Sequence, residues 1–403
     1  SETSKSWIDS ELANSVNYTD KTFVIPSERD GWARLYLYSL DGKLLRCLNT
    51  GNEAVTAYYG NDAARHLYFY QRTAGPLNRV VCSVDEKGRE TILGKHEGTT
   101  SARFNTDFSY YIEVYSNATT PTQYRVCKAD GKHIRDLQLN TETAERFKDR
   151  IPMREFFTFT SDGYELNGYI IKPANFDPTK RYPCIMSQYS GPGSQQVLNK
   201  WKADWETWFA MQGYVICCVD GRGTGGRGKE FESLVYLNLG KYEVIDQIAA
   251  ARYMGMQPYV DAKRIGIWGW SYGGYMTLMS MSQRNSCYAS GVSIAPVTSW
   301  RFYDTIYAER FMRTPQENPE GYKNGSALEL VDNQKGDLLI MFGGADDNVH
   351  IINSMQYIAL QHARSSQFEM MMFPNMNHSI NGCGIRPALY QRVLNFFDRT
   401  LKK

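Results

Sequence analysis

Gly269-Trp270-Ser271-Tyr272-Gly273 has the G-x-S-x-G pattern of a serine presented on a sharp strand-to-helix turn. The apolar run Ile265-Gly266-Ile267-Trp268 leads straight into it, and Gly274 to Met279 reads as the helix that follows. Small flanking residues permit the turn, which lifts the hydroxyl clear of the sheet. The helix start places a positive end beside a developing oxyanion. The bare pattern arises by chance in many chains; its seat between a strand and a helix makes Ser271 a candidate nucleophile. A serine hydroxyl attacks only if a base takes its proton, and the chain order expected for this arrangement is Ser, acid, His. His378 fits as the base. It follows the apolar run Met370 to Phe373, in the polar loop Pro374-Asn375-Met376-Asn377-His378. His350 and His362 also lie downstream, but His350 closely follows the candidate acid and His362 falls in the helix predicted after it. The acid belongs to Gly343-Gly344-Ala345-Asp346-Asp347-Asn348-Val349-His350, after the run Leu338 to Phe342. Spacing does not choose between Asp346 and Asp347. One should accept the second N–H of the imidazole while the other faces solvent or the loop backbone.

Loops that must meet at one point need a rigid sheet to carry them. From about residue 150 the pattern alternates strands and helices. Cys184 to Tyr189, Val215 to Asp220, Arg264 to Trp268, Ser290 to Ala295, Leu338 to Phe342 and Met370 to Phe373 read as strands. Residues 243–254 read as a helix on which Ile245, Ile248 and Ala249 share a face. A last helix is expected from about Pro387 to Phe397, with proline suited to the first turn. Unbroken apolar strands belong to a sheet covered on both faces, so residues 146–403 are expected to form a doubly wound, mostly parallel α/β domain.

Residues 1–145 have a different rhythm. Arg34 to Ser39, His66 to Tyr70, Arg79 to Val84, Tyr110 to Tyr115 and Tyr124 to Cys127 are short strand-like runs. Turn signals at Asp41-Gly42, around Asp85 to Gly88, and at Asp130-Gly131 recur at intervals of about 45 residues, the repeat of a four-stranded propeller blade. Three repeats do not close a ring, so either the region is not a propeller, since irregular sandwiches show the same rhythm, or residues 1–145 are the last blades of one.

The 403 residues suit two domains, and a hydrophobic content of 42% against 22% charged residues indicates a folded chain. A formal net charge of +2 with no basic cluster gives nucleic acid no footing. The eight cysteines, scattered from Cys47 to Cys383, do not have metal-site spacing, and the adjacent Cys217 and Cys218 lie in an apolar run as small core residues.

Two stretches are more specific than the rest: Gly266-Ile267-Trp268-Gly269-Trp270-Ser271-Tyr272-Gly273-Gly274-Tyr275 and Ala345-Asp346-Asp347-Asn348-Val349-His350. On these the chain resembles the prolyl oligopeptidase family of serine peptidases, most closely its dipeptidyl peptidase IV branch. The resemblance covers essentially the whole chain and is strongest from about residue 150. It implies an α/β-hydrolase catalytic domain preceded by an all-β partial propeller. It also implies that the first aspartate of the pair, Asp346, completes the triad with Ser271 and His378. The implied oxyanion hole combines the backbone N–H of Tyr272 with the hydroxyl of Tyr189, from Gln188-Tyr189-Ser190-Gly191-Pro192-Gly193. The implied proline pocket is Tyr272, Val297, Trp300, Tyr303, Tyr307 and Val349, with Asn348 holding a substrate carbonyl. No metal and no organic cofactor is implied.

The activity expected from this resemblance is release of N-terminal Xaa-Pro, and Xaa-Ala, dipeptides through an acyl-enzyme. The alternatives are a prolyl tripeptidyl peptidase or a post-proline endopeptidase. An esterase would share the elbow without needing Trp300, Tyr303 and Tyr307, and a non-catalytic interaction protein would not need the intact triad. In the family a glutamate pair that grips the substrate's free amine lies on a propeller segment preceding everything here. The chain is therefore expected to be the C-terminal portion of a longer protein, and Glu309-Arg310 is not a substitute for that pair. Mammalian-type members pair a cysteine of the hydrolase core with one near the C-terminus. Residues 396–403 contain none, so Cys287 is expected to stay unbridged. That departure suggests a bacterial enzyme of the periplasm or cell surface. Peptides with proline second are the expected partners, and a homodimer is expected from the family.

Overall fold

In the computed structural model all residues are described except 1, 10, 11, 13, 383 and 403, so Cys383 lies outside the described residues. The chain divides into two compact units. The first comprises Ser1–Arg150, Leu198–Lys202 and Gly225–Ser233; the second comprises Ile151–Val197, Ala203–Thr224 and Leu234–Lys403.

The first unit is built from three antiparallel four-stranded meanders. β1(Asn17–Tyr18), β2(Thr22–Ser27), β3(Arg34–Ser39) and β4(Leu44–Cys47) form one sheet in chain order. β5(Val55–Asp62), β6(Leu67–Thr73), β7(Arg79–Asp85) and β8(Glu90–Ile92) form the second. β9(Thr99–Phe104), β10(Tyr110–Ser116), β11(Gln123–Lys128) and β12(His133–Gln138) form the third. A single parallel bridge, Arg79 to Thr99, joins the second and third. All three Asp/Gly turns fall at the same place, the hairpin between the third and fourth strands. There Gly42, Gly88 and Gly131 take φ of 88°, 82° and 87°, a region L side chains avoid.

Strand periodicity explains how the meanders stack. On β7, Val80, Cys82 and Val84 join Leu35, Leu37 and Val24 of the first meander in one core, whereas Val81 turns to Tyr111 and Cys127 of the third in another. Successive side chains of a strand point to opposite faces, so an apolar central strand serves both neighbours. These are the blades of a partial β-propeller.

The second unit is an α/β-hydrolase domain. Its eight strands are β13(Arg154–Ser161), β14(Tyr164–Ile171), β15(Tyr182–Ser187), β16(Val215–Asp220), β17(Val260–Trp270), β18(Ser290–Ile294), β19(Asp337–Gly343) and β20(Glu369–Phe373). They lie in the order β13-β14-β16-β15-β17-β18-β19-β20. The first two join antiparallel, and from β16 onward every pairing is parallel. Every residue of β16 and β18 is buried, as expected for a sheet covered on both faces. Cys217 and Cys218 sit within β16 as core residues, and the seven described cysteines, Cys287 among them, are free thiols.

Two local expectations need correction. The strand expected over Cys184 to Tyr189 ends at Ser187, which releases Gln188 and Tyr189 into the following loop. The helix expected over 243–254 is present as Tyr242–Gly255, but Ile245 is 42% exposed while Glu243, Asp246 and Gln247 are buried. Hydrogen bonds make that burial affordable: Asp246 accepts from Arg222 Nη2 at 2.8 Å, and Gln247 Nε2 donates to Val219 O at 3.0 Å. Apolar periodicity cannot detect a buried face made of hydrogen-bonding polar side chains.

Candidate active site

Ser271 sits between β17 and the helix Tyr272–Met281, with φ 60° and ψ −118°. A non-glycine residue held there costs on the order of 1–3 kcal/mol unless its surroundings fix it. Two features fix it. The Ser271 N–H donates to Ile294 O of β18 at 2.8 Å. The helix also packs against its neighbours at glycines: a Cβ on Gly273 would stand 2.5 Å from Gln188 O, and one on Gly274 would stand 2.5 Å from Ile294 O. The spacing of the motif therefore follows from backbone contact.

The acid and the base arrive on loops after the last two strands, and the loops are tied together. Gly344 N donates to Phe373 O at 2.9 Å and Ala345 N to Met376 O at 3.0 Å. Asp346 Oδ2 stands 2.8 Å from His378 Nδ1. Its other oxygen, Oδ1, accepts from Asn348 N at 3.0 Å and Val349 N at 2.9 Å. The Asp346 side chain is 2% exposed and that of His378 17%. Asp347 is exposed. The two aspartates that spacing left equivalent are thus held in opposite environments, and only Asp346 faces the imidazole. With Nδ1 engaged, Nε2 is the nitrogen left to act as base.

Ser271, His378, Tyr189, Trp270, Tyr303, Asn348, Ser379 and Arg386 line one pocket of about 390 Å³. The Tyr189 phenol lines the same pocket as Ser271, and burial pushes its pKa up, only partly offset by the nearby Ser271 hydroxyl, so it remains a proton donor. Tyr272 N–H opens the helix after Ser271 and has no intrahelical acceptor. These two donors flank the nucleophile.

Beside them is a run of aromatic contacts. Tyr189 and Tyr272 have ring centroids 6.0 Å apart, Tyr272 and Trp300 5.4 Å, and Trp300 and Tyr307 5.8 Å with an interplanar angle of 18°. Tyr303 meets Tyr307 edge-on at 5.2 Å. Ser299 and Asp304 cap the short helices that present these rings, Asp304 accepting from Tyr307 N at 2.8 Å. Val297 and Val349 are buried. Asn348 is exposed and accepts from Tyr303 O–H at 2.7 Å through Oδ1, which leaves its amide N–H free to meet a carbonyl. The structure thus brings Ser271, His378, Tyr189, Tyr303 and Asn348 to one pocket, with Asp346 behind His378 and the rings of Tyr272, Trp300 and Tyr307 alongside, whereas His362 lies apart on the helix Ile352–Ala363 against Phe368.

Sequence reasoning missed the residues that hold these in place. Trp270 Nε1 donates to His378 O at 3.0 Å, and the Arg386 guanidinium lies 4.5 Å over the Trp270 ring. Gln188 Nε2 donates to Gly273 O at 2.8 Å, linking the Tyr189 loop to the nucleophile helix. Trp270 was signalled only by its position inside the G-x-S-x-G motif, and Gln188 only by its place before Tyr189 in the loop after β15. Among the described residues no helix is long and apolar enough to cross a membrane, and no group of three or more His, Cys, Asp or Glu could hold a metal ion.

Comparison with known proteins adds the following. Residues 201–403 match the family described as the prolyl oligopeptidase family, and residues 1–122 match the dipeptidyl peptidase IV N-terminal region. The crystal structure of Porphyromonas gingivalis dipeptidyl peptidase 4 is similar with a TM-score of 0.96 and 46% identity, over 99% of this chain and 57% of that one. A Trichophyton verrucosum protein named "Probable dipeptidyl-aminopeptidase B" is 37% identical over 380 residues, 91% of this chain and 42% of its own length. Its namesake from Arthroderma otae is 38% identical over 361 residues, 86% of this chain and 39% of its own. The chain spans about two fifths of the length of these curated relatives.

Proposed function

The chain belongs to the prolyl oligopeptidase family, and on that premise we propose that it is the catalytic part of a serine exopeptidase that releases N-terminal Xaa-Pro dipeptides, and Xaa-Ala dipeptides more slowly. The observation that carries the proline reading is the aromatic box of Tyr272, Trp300, Tyr303 and Tyr307, built onto the residue next to Ser271. A pyrrolidine ring is compact and apolar. Such walls accept it and exclude long or charged side chains.

In this mechanism Ser271 Oγ attacks the carbonyl carbon after proline while its proton passes to His378 Nε2. Asp346 accepts the Nδ1–H, fixing the tautomer and stabilising the imidazolium. The Tyr189 hydroxyl and the Tyr272 N–H hold the oxyanion. When the C–N bond breaks, His378 returns its proton to the leaving amine and an ester on Ser271 remains. Water then attacks that ester, giving its proton to His378, and collapse of the second tetrahedral adduct frees the dipeptide and reprotonates Ser271. Asn348 donates to the carbonyl of the substrate's first residue.

Steady-state hydrolysis by the complete native protein tests the specificity on three chromogenic amides: Gly-Pro, Ala-Ala-Pro and N-blocked Gly-Pro. The expected result is a kcat/KM for free-amine Gly-Pro at least roughly a hundredfold above the other two. Fast release from the tripeptide or the blocked substrate would replace the dipeptidyl reading by a tripeptidyl or endopeptidase one, with Ser271, Asp346 and His378 keeping their roles.

A further inference from the structure

The helix Tyr242–Gly255 turns an unusual face to the site. Glu243 and Gln247, one turn apart, are both fully buried, and each retains an oxygen with no hydrogen-bond partner: Oε2 of Glu243 and Oε1 of Gln247. Their other atoms reach the two sides of the oxyanion hole. Glu243 Oε1 accepts from the Tyr272 phenol at 2.6 Å and from Gly240 N at 3.0 Å. Gln247 Nε2 donates to Ser190 Oγ at 3.1 Å, and Ser190, at φ 66°, follows Tyr189 directly. Ser190 Oγ in turn donates to Gln188 Oε1 at 3.3 Å.

A carboxyl with an unpartnered oxygen in the core is costly to keep. An apolar residue would fill the same space at less cost, so its retention needs a reason beyond packing. Burial pushes the Glu243 carboxyl up to about 7, while the Gly240 N–H and the Tyr272 hydroxyl pull it back. Asp246, Tyr275 and Tyr307 are the other ionisable groups that act on it or feel it. Tyr272 is both a wall of the aromatic box and the source of an oxyanion N–H, so whatever fixes its ring fixes the box relative to the reacting carbonyl.

We propose that Glu243 is a positioning residue that sets proline selectivity, holding the Tyr272 ring as the fixed wall of the box while Gln247 braces the Tyr189 loop through Ser190. The inference rests on the post-proline reading of the site. Without the Glu243 anchor the Tyr272 ring gains freedom, and a box with a loose wall no longer distinguishes a pyrrolidine from a methyl group. The effect should appear in selectivity rather than in the chemistry of the triad.

The test compares Gly-Pro and Gly-Ala chromogenic amides in the complete native protein and its Glu243→Leu and Glu243→Gln variants. Phosphonylation of Ser271 by a small fluorophosphonate serves as a second readout that needs the triad but not the box. The Leu variant should lower the Pro/Ala ratio of kcat/KM by roughly tenfold, mainly through KM for Gly-Pro, with phosphonylation slowed less than the ratio falls. The Gln variant keeps an acceptor for the phenol and for Gly240 N–H, and should restore the ratio to within about threefold of wild type. An unchanged ratio in a Leu variant that still labels would overturn the inference. If the Leu variant does not fold, Tyr272→Phe, which removes only the hydroxyl, must reproduce the loss of ratio; a wild-type ratio there would equally overturn it. Failure of the post-proline reading looks different: the unmodified protein would label at Ser271 yet show no preference for Gly-Pro.

Discussion

Replacing His378 by alanine should lower kcat/KM by roughly 10⁵- to 10⁶-fold, because the serine hydroxyl then has no base at attack and the leaving amine no acid at collapse. Asp346→Asn should cost less, roughly 10⁴-fold. The amide can still lie against Nδ1, but it favours the wrong tautomer and gives the imidazolium no charge partner. The contrast with the neighbouring residue sharpens this prediction. Asp346 is buried, accepts two loop N–H groups and faces His378 Nδ1, whereas Asp347 is exposed. Asp347→Asn should therefore leave kcat/KM within about twofold of wild type, the range ordinary for a surface substitution away from such features. Steady-state kinetics on a Gly-Pro amide measures all three, with thermal melting as the check on folding. Equal losses at Asp346 and Asp347 would mean that the loop matters as a whole and the imidazole is oriented by something else.

Tyr189→Phe should lower kcat by roughly 10²- to 10³-fold and leave KM nearly unchanged. The substitution removes one oxygen and keeps the ring, so the contact with Tyr272 survives while the donor is lost. A donor that acts on the oxyanion strengthens as charge develops on the carbonyl, so its removal raises the barrier more than it weakens substrate binding. A rise in KM with kcat preserved would make Tyr189 a binding wall only, and Tyr272 N–H would then carry the oxyanion without it.

What the sequence disclosed follows from how each feature is encoded. Ser271, the acid loop and His378 were legible because each follows an apolar strand, and parallel strands in one sheet bring their C-terminal loops to one edge. The choice of Asp346 over Asp347 was not legible from spacing, since it depends on which carboxylate meets the N–H groups of residues 348 and 349. Tyr189 has no periodic signature; it lies two residues beyond the end of β15, and only the family resemblance singled it out. The blades announced themselves through the repeated Asp/Gly hairpins and their apolar inner strands. Their outer strands did not, because β12 is exposed throughout and β8 is only three residues long. The hairpin β13–β14 at the edge of the hydrolase sheet was missed for a similar reason: β13 has a half-exposed, irregular burial pattern rather than an apolar run. The buried face of Tyr242–Gly255 was the largest misreading, since Glu243, Asp246 and Gln247 look like solvent-facing residues until their hydrogen-bond partners are known.

The identity of the nucleophile is the claim on which the remaining assignments depend. Reaction of the complete native protein with a fluorophosphonate, followed by mass-spectrometric mapping of the adduct, tests it directly. The expected result is one stoichiometric phosphonyl group, on Ser271, with simultaneous loss of Gly-Pro amide hydrolysis and no adduct in Ser271→Ala. An adduct on another residue, or full hydrolytic activity retained after Ser271 is quantitatively modified, would contradict the account.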